Sequence, residues 1–356
     1  MKQTEFTDSS PADSRHEEFD GELLASMSSE ILHLIILPTE QCNFRCTYCY
    51  EDFAIGRMSP ATVTGIKRLI DRRRDDLRAL NVSWFGGEPL LAREIIEDVS
   101  THIMHAVDSR EELSYSADMT TNGYLLDSHT TARLADLGIR FHQVSLDGPE
   151  ALHNRTRVRA DGNGSFERIW RNLVAIRDSA HPVRVLLRVH LTPANLPSMP
   201  EFLVQVRDTF LHDARFSVYL KPIERMGGPN DAAMAVIDDT ERPGVIAELE
   251  SILIAGREPQ RLFDAPKVCY ASRPNSLVIR ANGRIGKCTV ALSDPSNTVG
   301  QLLPDGSLQI DNGRLRPWLR GWSARDWDTI GCPYGGMARD EPALLQIGPP
   351  ASKAAH

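Results

Sequence analysis

Between Ile31 and Leu220 the chain alternates short apolar runs with longer amphipathic stretches. This alternation constrains its fold more than any other feature. The runs read as strands are Ile31–Leu37, Asn81–Phe85, Ser114–Thr120, Arg140–Leu146, Val183–Leu191 and Arg215–Leu220. The stretches read as helices are Ser59–Ala79, Ala92–Val107, Ser128–Leu137, Ser165–Asp178 and Ser198–Phe210. Strand followed by helix, repeated, predicts an α/β fold with a parallel sheet and right-handed crossovers. Six strands are two short of a closed eightfold barrel. In such a sheet chemistry gathers at the C-terminal ends of the strands, so the loops that follow each strand are the ones to inspect.

The loop after the first strand holds Cys42, Cys46 and Cys49, spaced C-x3-C-x2-C. Three thiolates this close can hold three irons of a [4Fe–4S] cluster and leave the fourth iron open. The alternative is a zinc knuckle. That would call for paired C-x2-C hooks or a following His pair, and neither occurs here. The other three cysteines are Cys269, Cys288 and Cys332. Between the first two, Asn282-Gly283 is a two-residue turn signal, and the flanking residues read as a β-hairpin that would bring Cys269 and Cys288 together. A three-Cys zinc site or buried free thiols remain open for this set. The polar N-terminus shows no secretory signal, so a cytoplasmic, reducing compartment is expected. There, six cysteines point to metal or catalysis rather than disulfides.

The loops after the next strands are Phe85-Gly86-Gly87-Glu88-Pro89, then Thr121-Asn122-Gly123, then Ser145-Leu146-Asp147-Gly148-Pro149, followed by His153-Asn154-Arg155-Thr156-Arg157 and Gly164-Ser165-Phe166. Singly each reads as a turn. Together with the cysteine run, in this order, they resemble the radical S-adenosylmethionine (SAM) superfamily. Asn154 stands where that family usually has Asp. The second cysteine set, with thirteen residues from Cys269 to Gly283 and four more to Cys288, resembles the SPASM and twitch auxiliary-cluster domains. It is truncated: three cysteines are present where a full SPASM domain has seven.

The resemblance implies a partial (β/α)6 barrel followed by a small SPASM/twitch-like domain. It implies a [4Fe–4S] cluster on Cys42, Cys46 and Cys49, whose open iron is chelated by SAM, and a second, auxiliary [4Fe–4S] cluster on Cys269, Cys288 and Cys332. By the same resemblance, Gly86, Gly87, Glu88 and Pro89 meet the SAM amino group, Ser145 the ribose and Arg157 the carboxylate. Asn122 lies on the active-site face, Tyr48 beside the adenine, and Thr192 and Asn195 near ribose and adenine. Glu224 and Arg225 could touch a peptide or form an ordinary loop ion pair. His190 could point into the barrel, structure being the default. The implied work is oxidation or crosslinking of a peptide or protein substrate, such as a short precursor peptide, with an electron donor such as flavodoxin or ferredoxin. A small-molecule radical SAM dehydrogenase or cyclase, a sulfatase-maturase-like protein oxidase, and a non-catalytic cluster or zinc scaffold are the alternatives.

The expected organisation is a disordered segment 1–28, a barrel 29–228, a helical linker 229–262 with its helix at Asp238–Ala255, an auxiliary domain 263–337 and a tail 338–356. A net charge of −8 speaks against a nucleic-acid partner, and no apolar run is long enough to span a membrane.

Overall fold

The computed structural model describes residues 21, 23–228, 230–254 and 268–337. The expected tail 338–356, most of the expected N-terminal disorder and the end of the linker lie outside the described residues.

Six parallel strands form the frame: β1 (Ile31–Ile36), β3 (Ala79–Trp84), β4 (Ser114–Thr121), β5 (Ile139–Leu146), β7 (Arg184–Leu191) and β8 (Phe216–Pro222). Helices α1 (Pro60–Arg73), α2 (Arg93–Asp108), α3 (Ser128–Asp136), α5 (Phe166–Arg177) and α6 (Met199–Phe210) connect them, with short α4 (Glu150–Thr156) inserted after β5. Each strand was located by its apolar run to within two residues. The first helix is the larger miss: it stops at Arg73, not Ala79. Leu77 is buried, but residues 76–78 already lead into β3, where Arg78 and Ala79 donate backbone hydrogen bonds to Glu30. Charged residues after Arg73 carried the helical pattern past its true end.

The strands alternate two environments. Outward-facing Leu34, Ile36, Leu80, Val82, Trp84, Val144, Leu187 and Val189 are buried under the helices and form the main core. Inward-facing positions are largely polar: His33, Ser83, Asp118, Gln143, Ser145, Arg188 and His190. Burying apolar side chains on the helix-covered face drives folding. The polar lumen is affordable because its groups pair with each other: His33 Nε2 meets Ser83 Oγ at 3.0 Å, and Ser83 donates to Asp118 at 2.7 Å.

The strands of the C-terminal segment extend the sheet of the barrel. Strand β9 (Ser276–Ile279) pairs in parallel with β1, and β10 (Arg284–Gly286), β11 (Gly300–Leu302) and β12 (Leu308–Ile310) continue outward. The result is one ten-stranded sheet in the order β12-β11-β10-β9-β1-β3-β4-β5-β7-β8. The hairpin turn is also longer than the two-residue turn that Asn282-Gly283 suggested. Arg280 pairs with Arg284, which leaves Ala281, Asn282 and Gly283 as a three-residue loop closed by Gly283 at φ +79°. Helix α7 (Arg242–Ile254) occupies the expected linker, starting four residues later than expected. At the N-terminal side, residues 23–27 are helical, and Asn275 Nδ2 donates to the Ala25 and Ser28 carbonyls at 3.0 Å each. Residues 23–27, within the segment expected to be disordered, are therefore helical.

Candidate active site

The six strand ends converge on a cavity of about 220 Å³. Its wall includes Cys42, Cys46 and Cys49 from the loop after β1, Gly86 and Gly87 after β3, Thr120–Asn122 at the end of β4, Ser145 on β5, Arg157, then Arg188 and His190 on β7 and Lys221 on β8. Thr289 and Val290, directly after Cys288, reach the same cavity.

Short β2 (Phe44–Cys46) pairs antiparallel with β6 (Arg157–Arg159), setting Cys46 opposite Arg157. The cysteine loop and the Arg157 segment, over a hundred residues apart in sequence, are thus one unit. Asn122 Nδ2 donates to Asn43 Oδ1 at 2.8 Å and ties the β4 loop to it. Asn154, the departure from the family pattern, caps α5: its Oδ1 accepts from Ser165 N (2.8 Å) and Phe166 N (3.0 Å). The cap needs only an acceptor oxygen, which Asn supplies as Asp would.

Under the cavity lies a buried polar network. Arg157 Nη1 donates to Tyr48 Oη (2.7 Å), and Tyr48 donates to Asp147 Oδ1 (2.9 Å). His190 Nδ1 lies 3.0 Å from the same carboxylate oxygen. Burial alone would raise the Asp147 pKa. The His190 hydrogen bond and the Arg157 charge outweigh it and hold the carboxyl well below the usual range. His190 is driven by burial to about 4, against the pull of Asp147, so near neutral pH it is uncharged and donates through Nδ1–H. His153, lowered to about 3 chiefly by burial, spans from Asp147 N (3.3 Å) to Ser165 Oγ (3.1 Å).

Each cysteine set is grouped in space. Burial raises the Cys42, Cys46 and Cys49 thiols, Cys49 to about 12, and Cys46 adds to the shifts of the other two. Burial likewise raises Cys269 and Cys288, with Cys332 a further cause for both. The link from Cys269 to Cys332 is the backbone bond from Cys269 N to Ile330 O at 3.0 Å. Among the described residues no three His, Cys, Asp or Glu side chains converge on a single ion; Cys42, Cys46 and Cys49 instead line the shared cavity. Thiols raised this way give up protons only to a strong positive charge, which a bound iron cluster supplies. The three thiols of the first set line one cavity, and that donor set fits the cluster its spacing suggested.

Several anticipated SAM contacts have other duties. Glu88 is fully buried and outside the cavity wall. Its carboxylate accepts from Leu90 N (3.1 Å), Thr121 Oγ1 (2.8 Å) and Asn122 N (2.8 Å), so it shapes the β4 loop. Pro89 likewise starts a buried 3-10 turn. Gly86 and Gly87 do line the cavity, but a Cβ on them would meet Thr39 O at 2.2 Å and Gln41 O at 2.5 Å. Their lack of a side chain lets the β3 loop pack on the entry to the cysteine loop. Asn195 is buried and bonded to Thr192 N, Asp147 O and His190 O, and neither it nor Thr192 reaches the cavity wall. Glu224 pairs with Lys221 at 2.5 Å and Arg242 at 3.1 Å, while Arg225 donates to the Asp231 and Met234 carbonyls. Sequence reasoning named no role for Asp147 or Arg188. The signal for Arg188 was available: it precedes His190 by two on β7, and alternate residues share a face.

The site is a cysteine-lined cavity at the C-terminal ends of six parallel strands. Residues 36–203, a little under half of the chain, match the family described as the Radical SAM superfamily. It is similar to a GTP 3',8-cyclase of Erythrobacter litoralis (31% identity over 35% of this chain and 37% of the relative). It is also similar to one of Microcystis aeruginosa (25% over 77% and 84%). The first of these matches thus spans little more than a third of the relative's length. In fold it resembles native anSMEcpe with bound AdoMet and the Cp18Cys peptide (TM-score 0.62, 18% identity, 81% of this chain and 83% of that one). It also resembles Streptococcus suis SuiB bound to the precursor peptide SuiA (0.57, 14%, 90% and 74%). Among the described residues no helix is long and apolar enough to cross a membrane.

Proposed function

We propose that this chain is a peptide-modifying radical SAM enzyme with two clusters. Cys42, Cys46 and Cys49 hold a [4Fe–4S] cluster that, when reduced, supplies the electron that cleaves SAM to a 5′-deoxyadenosyl radical. The backbone of Gly86 and Gly87, Ser145, Asn122 and Arg157 bind and orient SAM. Arg157 does so because Tyr48 and Asp147 fix it beside Cys46. Cys269, Cys288 and Cys332 hold an auxiliary [4Fe–4S] cluster with one iron not bound by Cys. The expected electron donor is a flavodoxin or ferredoxin.

One observation chiefly supports this reading: residues beside both cysteine sets line one cavity, so a substrate bound there is within reach of both. The fold neighbours solved with peptides support the substrate class. The named sequence relatives favour a second reading, a nucleotide cyclase. Charge speaks against it. Among the described residues the cavity wall has the cations Arg157, Arg188 and Lys221, and two of them already face Asp147 and Glu224. A triphosphate would require more unpaired positive charge. The test is anaerobic reconstitution, reduction, and measurement of 5′-deoxyadenosine with GTP or with peptides from the gene's own neighbourhood. Stimulation and a mass change on a peptide support the proposal; stimulation by GTP alone refutes it.

A further inference from the structure

We propose that Arg188 is the substrate receptor of this cavity and that it binds a single carboxylate on the substrate. The inference rests on the peptide reading above and names the group by which the peptide is held.

Arg188 lies on β7 between Ser145 of β5 and Tyr219 of β8 in the sheet register. It shares the inward face with His190 and lines the cavity. Its Nε is buried without any hydrogen-bond partner. Among the described residues no acid stands within ion-pair distance of it. Arg157 Nε is likewise without a hydrogen-bond partner, but the other cations of the wall each have an acid nearby. Arg157 donates to Tyr48 and lies 4.0 Å from Asp147, and Lys221 is paired with Glu224. Glu51 also lines the wall, yet its Oε2 is itself unpartnered and it makes no ion pair with Arg188.

An unpaired, partly buried guanidinium is unfavourable unless something completes it. A planar fork of N–H donors matches a two-oxygen planar anion best. One free cation matches one negative charge, which a peptide carries as an Asp or Glu side chain or as its C-terminal carboxylate.

The test uses the reconstituted, SAM-bound protein under anaerobic conditions. Phenylglyoxal modifies accessible arginines, and mass mapping reads the adduct at Arg188. The probes, at equal ionic strength, are N-acetylaspartate N-methylamide, its asparagine counterpart, N-acetylalanine and inorganic tripolyphosphate. The aspartyl probe or N-acetylalanine should slow modification of Arg188 at least about fivefold and saturably, as charge-assisted bonding predicts, while the asparagine probe should not. Protection by the aspartyl probe points to a side-chain carboxylate and by N-acetylalanine to a chain end; either supports the assignment. The proposal is overturned if neither acid protects, if tripolyphosphate protects better than both, or if Arg188 does not react with or without SAM. It is also overturned if bound SAM alone silences Arg188, which would make it SAM's own partner. Saturation-transfer NMR adds a second measure. Affinity for the protecting acid should fall about tenfold in a folded Arg188→Gln variant and recover in part in Arg188→Lys; unchanged affinity in folded Arg188→Gln refutes the assignment. No turnover is needed, so failure here is separate from failure of the deoxyadenosine assay.

Discussion

Breaking the buried pair Glu40–Arg280 should destabilise the protein more than any single surface change. Glu40 stands two residues before Cys42, and Arg280 lies at the hairpin turn that leads to Cys288. Both are almost fully buried. Arg280 Nε donates to Glu40 Oε1 at 3.1 Å and Nη2 to Oε2 at 2.5 Å, a bidentate contact. Ala281 N adds a third bond at 3.3 Å, and Arg280 Nη1 also donates to Leu292 O. Glu40→Gln keeps the shape but removes the carboxylate that pairs with the buried guanidinium. Removing one partner of such a pair costs about 3–5 kcal/mol, a fifth or more of a typical total of about 5–15 kcal/mol. With a urea dependence of about 3 kcal/mol per molar, the unfolding midpoint should fall by about 1–1.7 M. The double variant Glu40→Leu/Arg280→Leu removes both charges and should recover most of the loss. The assay is urea unfolding of the reduced protein followed by tryptophan fluorescence. A Glu40→Gln midpoint within about 0.2 M of wild type, or a double variant worse than the single, would refute the reasoning.

Four further outcomes are expected. Replacing Cys42, Cys46 and Cys49 by Ala should abolish 5′-deoxyadenosine formation after reconstitution and dithionite reduction; retained formation excludes the assignment. Replacing Cys269, Cys288 and Cys332 by Ala should cut iron from about eight to about four per chain while SAM cleavage persists; stoichiometric zinc in the wild type contradicts this. Glu88→Gln turns one acceptor oxygen into a donor facing Asn122 N, so it should cost about 1–3 kcal/mol in urea unfolding; a loss of SAM affinity with no stability change would restore a ligand role. His142 is buried with neither ring nitrogen partnered, and burial lowers it from 6.5 to about 4. Its folded value lies below its unfolded one, so stability is whole above pH 6.5 and declines as pH falls toward 4, by up to about 3 kcal/mol. His142→Leu should flatten that decline in unfolding midpoints measured across pH 4–7; an unchanged slope would show that His142 does not contribute.

The sequence by itself determined the alternation of strands and helices, because burying one face of each element imposes a period that apolar residues reveal. It also located the cysteines, since ligand spacing in a loop is local. Which ligand contacts those loops make was not local. Glu88 looked like a ligand residue but is committed to the β4 loop, because the chain brings Asn122 N and Thr121 to it from thirty residues away. The joining of the C-terminal hairpin to β1 was equally invisible, since edge pairing depends on which backbone is left unpaired when the barrel forms. Arg188 carried only an alternation with His190. That no acid among the described residues stands within ion-pair distance of it emerges only when β5, β7 and β8 are laid together, because a charge's partners are set by neighbouring strands and not by neighbours in sequence.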